Sequence, residues 1–235
     1  MRGRKPVRPL AEIADAAVRV FTEKGFRSGG ISDVADALGL SHGAPYTYAD
    51  SKQALLYLAL LRAIRPDAVN ELAIPVTAPP VADIVALLQS WTAEQTALAV
   101  EGQAFDQGLG ALVDTLYGFI EHNRRVLQLI PQCAADLPEL AQWFFVQQRR
   151  GTLQRIGDYL REQIELGALR PVPDVPAAAR FIVETIAWFA MHRHTDPDSA
   201  MLDDDTCRRT VRDLLVAAFL PTRGAKSGEP AAAGQ

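Results

Sequence analysis

Residues 31–52, ISDVADALGLSHGAPYTYADSK, decide the architecture of this 235-residue chain, because they read as two short helices joined by a tight turn. Val34, Ala35 and Leu38 recur at helical spacing before Gly39. A glycine there can take the left-handed backbone angle that ends a helix. Leu40 then drops into the core, and the Ser41 hydroxyl is placed to cap the next helix. That second helix, residues 42–48, carries few apolar anchors and much small or hydrogen-bonding surface, a composition suited to the major groove of double-stranded DNA. The pattern is a helix-turn-helix.

Charge supports this reading once it is divided along the chain. The net charge of −4 argues against a DNA binder taken whole, yet residues 1–65 hold ten Lys/Arg against six Asp/Glu, while the remainder holds fourteen against twenty-two. The basic end is therefore the end with the helix-turn-helix. With 49% hydrophobic residues the chain can bury a substantial core in one or two domains. Cys133 and Cys207 lack CxxC spacing, there is no secretory hydrophobic segment, and no uncharged apolar run approaches the roughly 20 residues that span a bilayer. The expected setting is a reducing cytoplasm, with no disulfide framework and no membrane partner.

Helical periodicity continues almost throughout, and an all-α fold is expected. Leu10, Ile13, Ala14, Ala17 and Phe21 mark one helix face, with Gly25 as its stop. Another helix starts at Ser51 and runs through Leu55, Leu56, Ala59, Leu60 and Ile64 to Pro66. Later stripes fall at Val81, Ile84 and Leu88, along residues 109–129, and at Leu153, Ile156, Leu160 and Ile164. The last two helices are expected at 177–193 and 206–220, the second opened by Asp203, Asp204 and Asp205, whose charges favour a helix N-terminus. The division that follows is a basic arm at 1–8, a helix-turn-helix domain at 9–50, a helical ligand-binding and dimerisation domain at 51–221, and a disordered tail at 222–235.

The order Ala35, Gly39, Leu40, Ser41, Gly43, Tyr46, Tyr48, then Ser51 and Lys52 before an apolar run, closely resembles the DNA-binding domain of the TetR family of transcriptional regulators. The resemblance implies that Ser41, His42, Ala44 and Thr47 face base edges or nearby phosphates, and that Tyr46, Tyr48 and Lys52 contact phosphates. Gly43 and Ser32 fall within the same surface. Lys52, at the first turn of its helix, adds a cation to backbone amides that already favour an anion. The bland reading of the same residues is two half-buried tyrosines and a solvated lysine. Three departures stand out: Gly30 replaces a capping Ser or Thr, Pro45 replaces an aliphatic residue, and Ala49 replaces a Phe. Ser32 is the candidate to replace the lost cap, and Tyr57 the candidate to fill the volume at Ala49. The arm, with Arg4 and Lys5 among four cations, either follows the DNA backbone or is a plain solubilising terminus.

Beyond Pro66, aromatic residues on separate helices suggest a cavity for a small apolar or aromatic effector. Trp91, Phe105, Leu116, Tyr117, Ile120, Trp143, Phe144 and Trp188 are its candidate lining, and His122 and Asn123 its candidate polar groups; the ordinary alternative is that the aromatics are core. A homodimer is expected through the last two helices. Ile182, Ile186 and Phe189 on the first, with Val211, Leu214, Leu215 and Ala218 on the second, would build a four-helix interface of the family's kind.

Enzymatic readings find no GxSxG, HExxH, P-loop or dinucleotide fingerprint. His192 and His194 lie two apart and point to different sides of a helix, so no metal site or cofactor is expected. Two functions follow. The first is a ligand-responsive regulator, as a repressor, that binds a pseudo-palindromic DNA operator. The second is a helical small-molecule carrier or scavenger that has lost specific DNA binding, an alternative resting on Gly30 and Ala49.

Overall fold

Gly39 has a φ of 63°, and two bonds beside it close the preceding helix. The Gly39 N–H donates to Asp36 O at 3.1 Å and the Leu40 N–H to Ala35 O at 2.9 Å, the Schellman arrangement that satisfies the last carbonyls. The Ala44 N–H then donates to the Ser41 carbonyl at 2.8 Å, so the Ser41 backbone, not its hydroxyl, receives that bond.

The computed structural model describes residues 8–101 and 107–221, the side chains of 96–101 excepted. Residues 1–7, with Arg4 and Lys5, together with Phe105 and residues 222–235, lie outside the described residues. The described chain is all-α. Its helices are α1 (Leu10–Ser28), α2 (Ile31–Ala37), α3 (Lys52–Ile64), α4 (Val81–Glu101), α5 (Leu109–His122), α6 (Arg124–Ala134), α7 (Pro138–Ala141), α8 (Arg150–Glu165), α9 (Val175–Ala190) and α10 (Asp204–Phe219). A π-helical stretch, Gln142–Arg149, joins α7 to α8.

Several boundaries differ from those expected. Gly25 kinks α1 rather than ending it, with φ 70° and ψ 178°, and the helix continues to Ser28. A Cβ on Gly25 would lie 3.1 Å from Gln132 O, so the glycine serves both the angle and the close approach of α6. The run 109–129 breaks at Asn123, whose side-chain amide donates to Phe119 O at 2.9 Å and so satisfies a terminal carbonyl of α5. Helix α10 opens as expected, Asp203 accepting the Thr206 N–H at 2.8 Å.

Two apolar cores result. The first unites α1 and α3 with α4, α6 and α7 through Phe21, Leu58, Trp91, Leu129 and Ile130, among others. The second joins α5, α8, α9 and α10 around Tyr117, Leu160, Ile182, Ile186 and Leu215. Consecutive helices α5 and α6 therefore serve different cores, while Phe119 and Leu127 touch both.

Charged groups fix α6 against α1. Asp15 on α1 accepts from Arg62 of α3 and from Arg125 of α6, each at 3.0 Å. Burial pushes the Asp15 carboxyl upward, but the two guanidiniums more than offset it and hold it below the ordinary carboxylate range. At the other end of α1, Asp136 takes the Arg27 N–H at 2.7 Å and lies 3.2 Å from Arg27 Nε.

Candidate nucleic-acid interface and effector region

The expected helix over residues 42–48 is a single 3-10 turn, Ala44–Thr47. Pro45 lies in its first turn with the ring buried, and its carbonyl accepts from both Tyr48 at 2.9 Å and Ala49 at 3.0 Å. The turn nevertheless presents the expected surface. Ser41, His42, Gly43 and Tyr46 are exposed, Tyr46 at 54%, Ala44 and Thr47 are half-buried, and Ser32 is exposed on α2.

Tyr48 does not fit the phosphate-contact role, because it is only 2% exposed and its ring belongs to the first core. Its hydroxyl accepts the Arg8 N–H at 2.8 Å. The Arg8 guanidinium donates in turn to Glu12 at 2.9 Å and to Leu38 O at 3.1 Å. Tyr48 therefore anchors the point where the basic arm enters α1.

Lys52 is the first residue of α3, whose N-cap Ser51 accepts the Ala54 N–H through its hydroxyl at 3.2 Å. The Lys52 ammonium donates to Arg27 O at 2.8 Å and lies 4.8 Å from the centre of the Phe26 ring. An ammonium has three donors, so this contact positions the lysine and leaves two donors over.

No side chain, Ser32 included, replaces the cap lost at Gly30; Asp33 Oδ2 instead accepts the Gly30 N–H at 2.7 Å, and its Oδ1 pairs with Lys24 at 2.5 Å. The Lys24 bond holds the Asp33 carboxyl below its usual range. Ala49 pairs through its backbone with buried Val76, and half-buried Tyr57 packs against the same core. Val76 N–H donates to Tyr48 O at 2.7 Å, and Asp50 N–H donates to Val76 O at 3.0 Å. Nothing in the spacing of Ala49 and Val76 signals this, since the pairing lies between two irregular segments.

The expected effector lining divides between the two cores. Trp91, Trp143 and Phe144 belong with the first, and Leu116, Tyr117 and Ile120 with the second, with the Trp91 and Phe119 rings 6.3 Å apart across the boundary. His122 is exposed at the end of α5, Asn123 turns to Phe119 O, and Trp188 is an exposed ring packed edge-on against Phe189. The two polar candidates thus finish a helix instead of facing a cavity. The Trp143 indole N–H is buried and has no acceptor among the described residues. A small apolar cleft of about 420 Å³, including its open mouth, lies between α1, α3, α4 and α7, with Phe26, Leu56, Leu60, Ile84 and Leu140 in its wall. Among the described residues, none of the expected lining forms part of it.

Sequence reasoning also missed a buried cation. Arg193 is 1% exposed, donates to Phe189 O and to Leu202 O at 2.8 Å each, and pairs with Asp204. Arg124 donates to His194 Nε2 at 2.6 Å; burial, followed by Arg124 and Arg193, holds the His194 pKa down. His194 is thus a neutral acceptor within a structural cluster.

The expected dimer face needs correcting. Ile182, Ile186, Val211 and Leu215 are buried in the chain's own second core and leave nothing for a partner to touch. Leu214, at 66%, and Ala218 are exposed on α10, Phe189 is half-buried, and the apolar groups α9 exposes are Phe181, at 55%, and Trp188.

Residues 13–57 match the bacterial regulatory proteins described as the tetR family, and residues 107–220 match the AefR-like transcriptional repressor C-terminal domain. The chain belongs to the TetR family. TetR proteins are ligand-responsive transcriptional regulators rather than enzymes, and this TetR chain shares their fold. It superposes on the ketosteroid transcriptional regulator KstR2 of Mycobacterium tuberculosis with a TM-score of 0.57 at 18% identity, covering 93% of this chain and 98% of that one. A TetR-family regulator from Rhodococcus RHA1 gives 0.53 at 19% identity, covering 89% and 96%. PfmR, a TetR regulator of Thermus thermophilus, gives 0.51 at 25% identity, covering 92% and 96%. Comparison with curated protein sequences gives no match. Among the described residues no helix of this TetR protein is long and apolar enough to cross a membrane.

Proposed function

We propose that the protein is a cytoplasmic repressor that grips a pseudo-palindromic operator as a homodimer and releases it when a small apolar or aromatic effector binds. The observation that carries this reading is the exposed turn bearing His42, Tyr46 and Thr47, set beside the capped N-terminus of α3 with Lys52 at its first position. That combination offers base-edge contacts and a phosphate site on one surface. The match of residues 107–220 to a repressor domain favours repression over activation.

Exposed Phe181, Trp188, Leu214 and Ala218 on α9 and α10 favour a two-fold interface, since large apolar side chains held in water are the ordinary mark of a protein contact. The apolar wall of the cleft between α1, α3, α4 and α7 favours an apolar effector. The carrier reading rested on Gly30 and Ala49. Residues 13–57, which contain both positions, still match the family's DNA-binding model, and this favours DNA binding over it.

Selection of duplexes from a random pool, followed by footprinting, tests the proposal. The expected product is a two-fold symmetric site with half-sites about one helical turn apart or a multiple of it. Enrichment of no sequence, or protection of a lone half-site by a monomer, refutes it. An inducer found by tryptophan fluorescence must bind free protein more tightly than operator-bound protein. A shift from 99:1 to 1:99 takes a preference of roughly 10⁴-fold, about 5.5 kcal/mol.

A further inference from the structure

Residues 72–80 leave α3 and its following 3-10 turn, run back to the DNA-facing end of the molecule and only then enter α4. On the way they make four contacts with the segment that closes the recognition turn. Val76 N–H donates to Tyr48 O at 2.7 Å, Asp50 N–H donates to Val76 O at 3.0 Å, the Thr77 hydroxyl donates to Asp50 Oδ2 at 2.6 Å, and the buried Val76 side chain packs in the core that holds Tyr48 and Ala49. Asp50 also accepts from the Ser51 hydroxyl at 2.9 Å, and Ser51 caps α3. The Thr77 and Ser51 bonds keep the Asp50 carboxyl below its usual range.

We infer that this strap is a positioning element for DNA recognition, with Val76 and Thr77 locking the recognition turn in its reading geometry. The inference rests on the DNA-binding reading above. A four-residue 3-10 segment has little hydrogen bonding of its own to define where it ends. At Ala49, 1% exposed, the turn passes into the next segment on a small buried side chain. Val76, buried in the same core, pairs with Ala49 from outside the motif, and its two backbone bonds bracket that residue. The strap enters α4 at Val81, a wall residue of the apolar cleft, and so gives α4 a route to the recognition turn that does not pass along α3.

The full-length protein and a duplex selected by it from a random pool provide the test. Val76→Ala is expected to lower affinity about tenfold while sedimentation and far-ultraviolet circular dichroism stay unchanged, and adding Ala49→Val is expected to restore most of the loss, because the pair conserves volume across the contact. Thr77→Val, an exposed change that leaves the core intact, is expected to weaken the same duplex severalfold. Amide hydrogen exchange read by mass spectrometry decides the matter without DNA. Peptides covering residues 44–50 should exchange about tenfold faster in Val76→Ala, and return toward wild type in the double variant, while α8 to α10 stay unchanged. Equal affinity in all variants, or unchanged exchange at residues 44–50, overturns the inference. If the wild type selects no duplex, the regulator reading fails and exchange alone judges the strap.

Discussion

Replacing Asp15 with Asn removes the charge on which α1, α3 and α6 converge. The carboxylate receives Arg62 through both nitrogens, Nε at 3.2 Å and Nη2 at 3.0 Å, and Arg125 at 3.0 Å. Charge-assisted bonds of this kind are each worth about 1.5–3 kcal/mol when well buried. Here the Asp15 side chain is 25% exposed and Arg125 is 57% exposed, so screening takes back most of the Arg125 share. A loss of about 1–2 kcal/mol for Asp15→Asn is expected, carried mainly by Arg62. Its pH dependence has a definite sign. Asp15 is held below its unfolded value in the folded state, so its contribution is fully present above the ordinary Asp range near 3.8 and is lost as pH falls through the lower folded value. Urea unfolding of both proteins at a series of pH values should show a constant gap from neutral pH down to about 5 that closes as the solution becomes more acidic. A gap that persists unchanged in acid, or no gap at neutral pH, would show that the triad is not what ties these helices.

Three further outcomes are expected. Lys52→Ala should weaken binding evenly across duplexes, and the wild-type dimer, touching about eight phosphates, should show a log-log salt slope near −7 in fluorescence anisotropy; His42→Ala should instead change which bases are preferred. Leu214→Asp should convert the protein to a folded monomer in sedimentation, whereas Leu215→Asp, placed in the second core, should lose its cooperative melt. Burial pushes the Cys133 thiol up to about 12, so a thiol reagent at neutral pH should label it only as fast as the protein unfolds.

The features legible in the sequence are those encoded within a few residues. Gly39 and Leu40 announce the turn because the bonds they make, to Asp36 and Ala35, are local. The capping role of Asp203 is equally local. Periodicity identifies which helices are amphipathic, but not which of two apolar sides meets the chain's own core. On α9 the side bearing Ile182 and Ile186 turned inward and the side bearing Phe181 and Trp188 outward. Pro45 is visible as an irregularity, but the pairing of Val76 with Ala49 depends on a contact with no sequence period. The effector region was hardest to read for a similar reason: Trp91 and Tyr117 look alike as candidate lining, and only packing assigns them to different cores.

The membership of the first core bears on how such a regulator can be rebuilt. Phe21 and Leu58, from the DNA-reading end, share it with Val126, Leu129 and Ile130 of α6. A headpiece severed after Ile64 would leave α1 bare where α6 now lies, and would strand Asp15 without Arg125 and Arg27 without Asp136. The reading head is thus not a detachable cartridge. Hybrid regulators that graft it onto another sensor need to carry α6 along, or match its apolar face and its two charged clasps in the recipient.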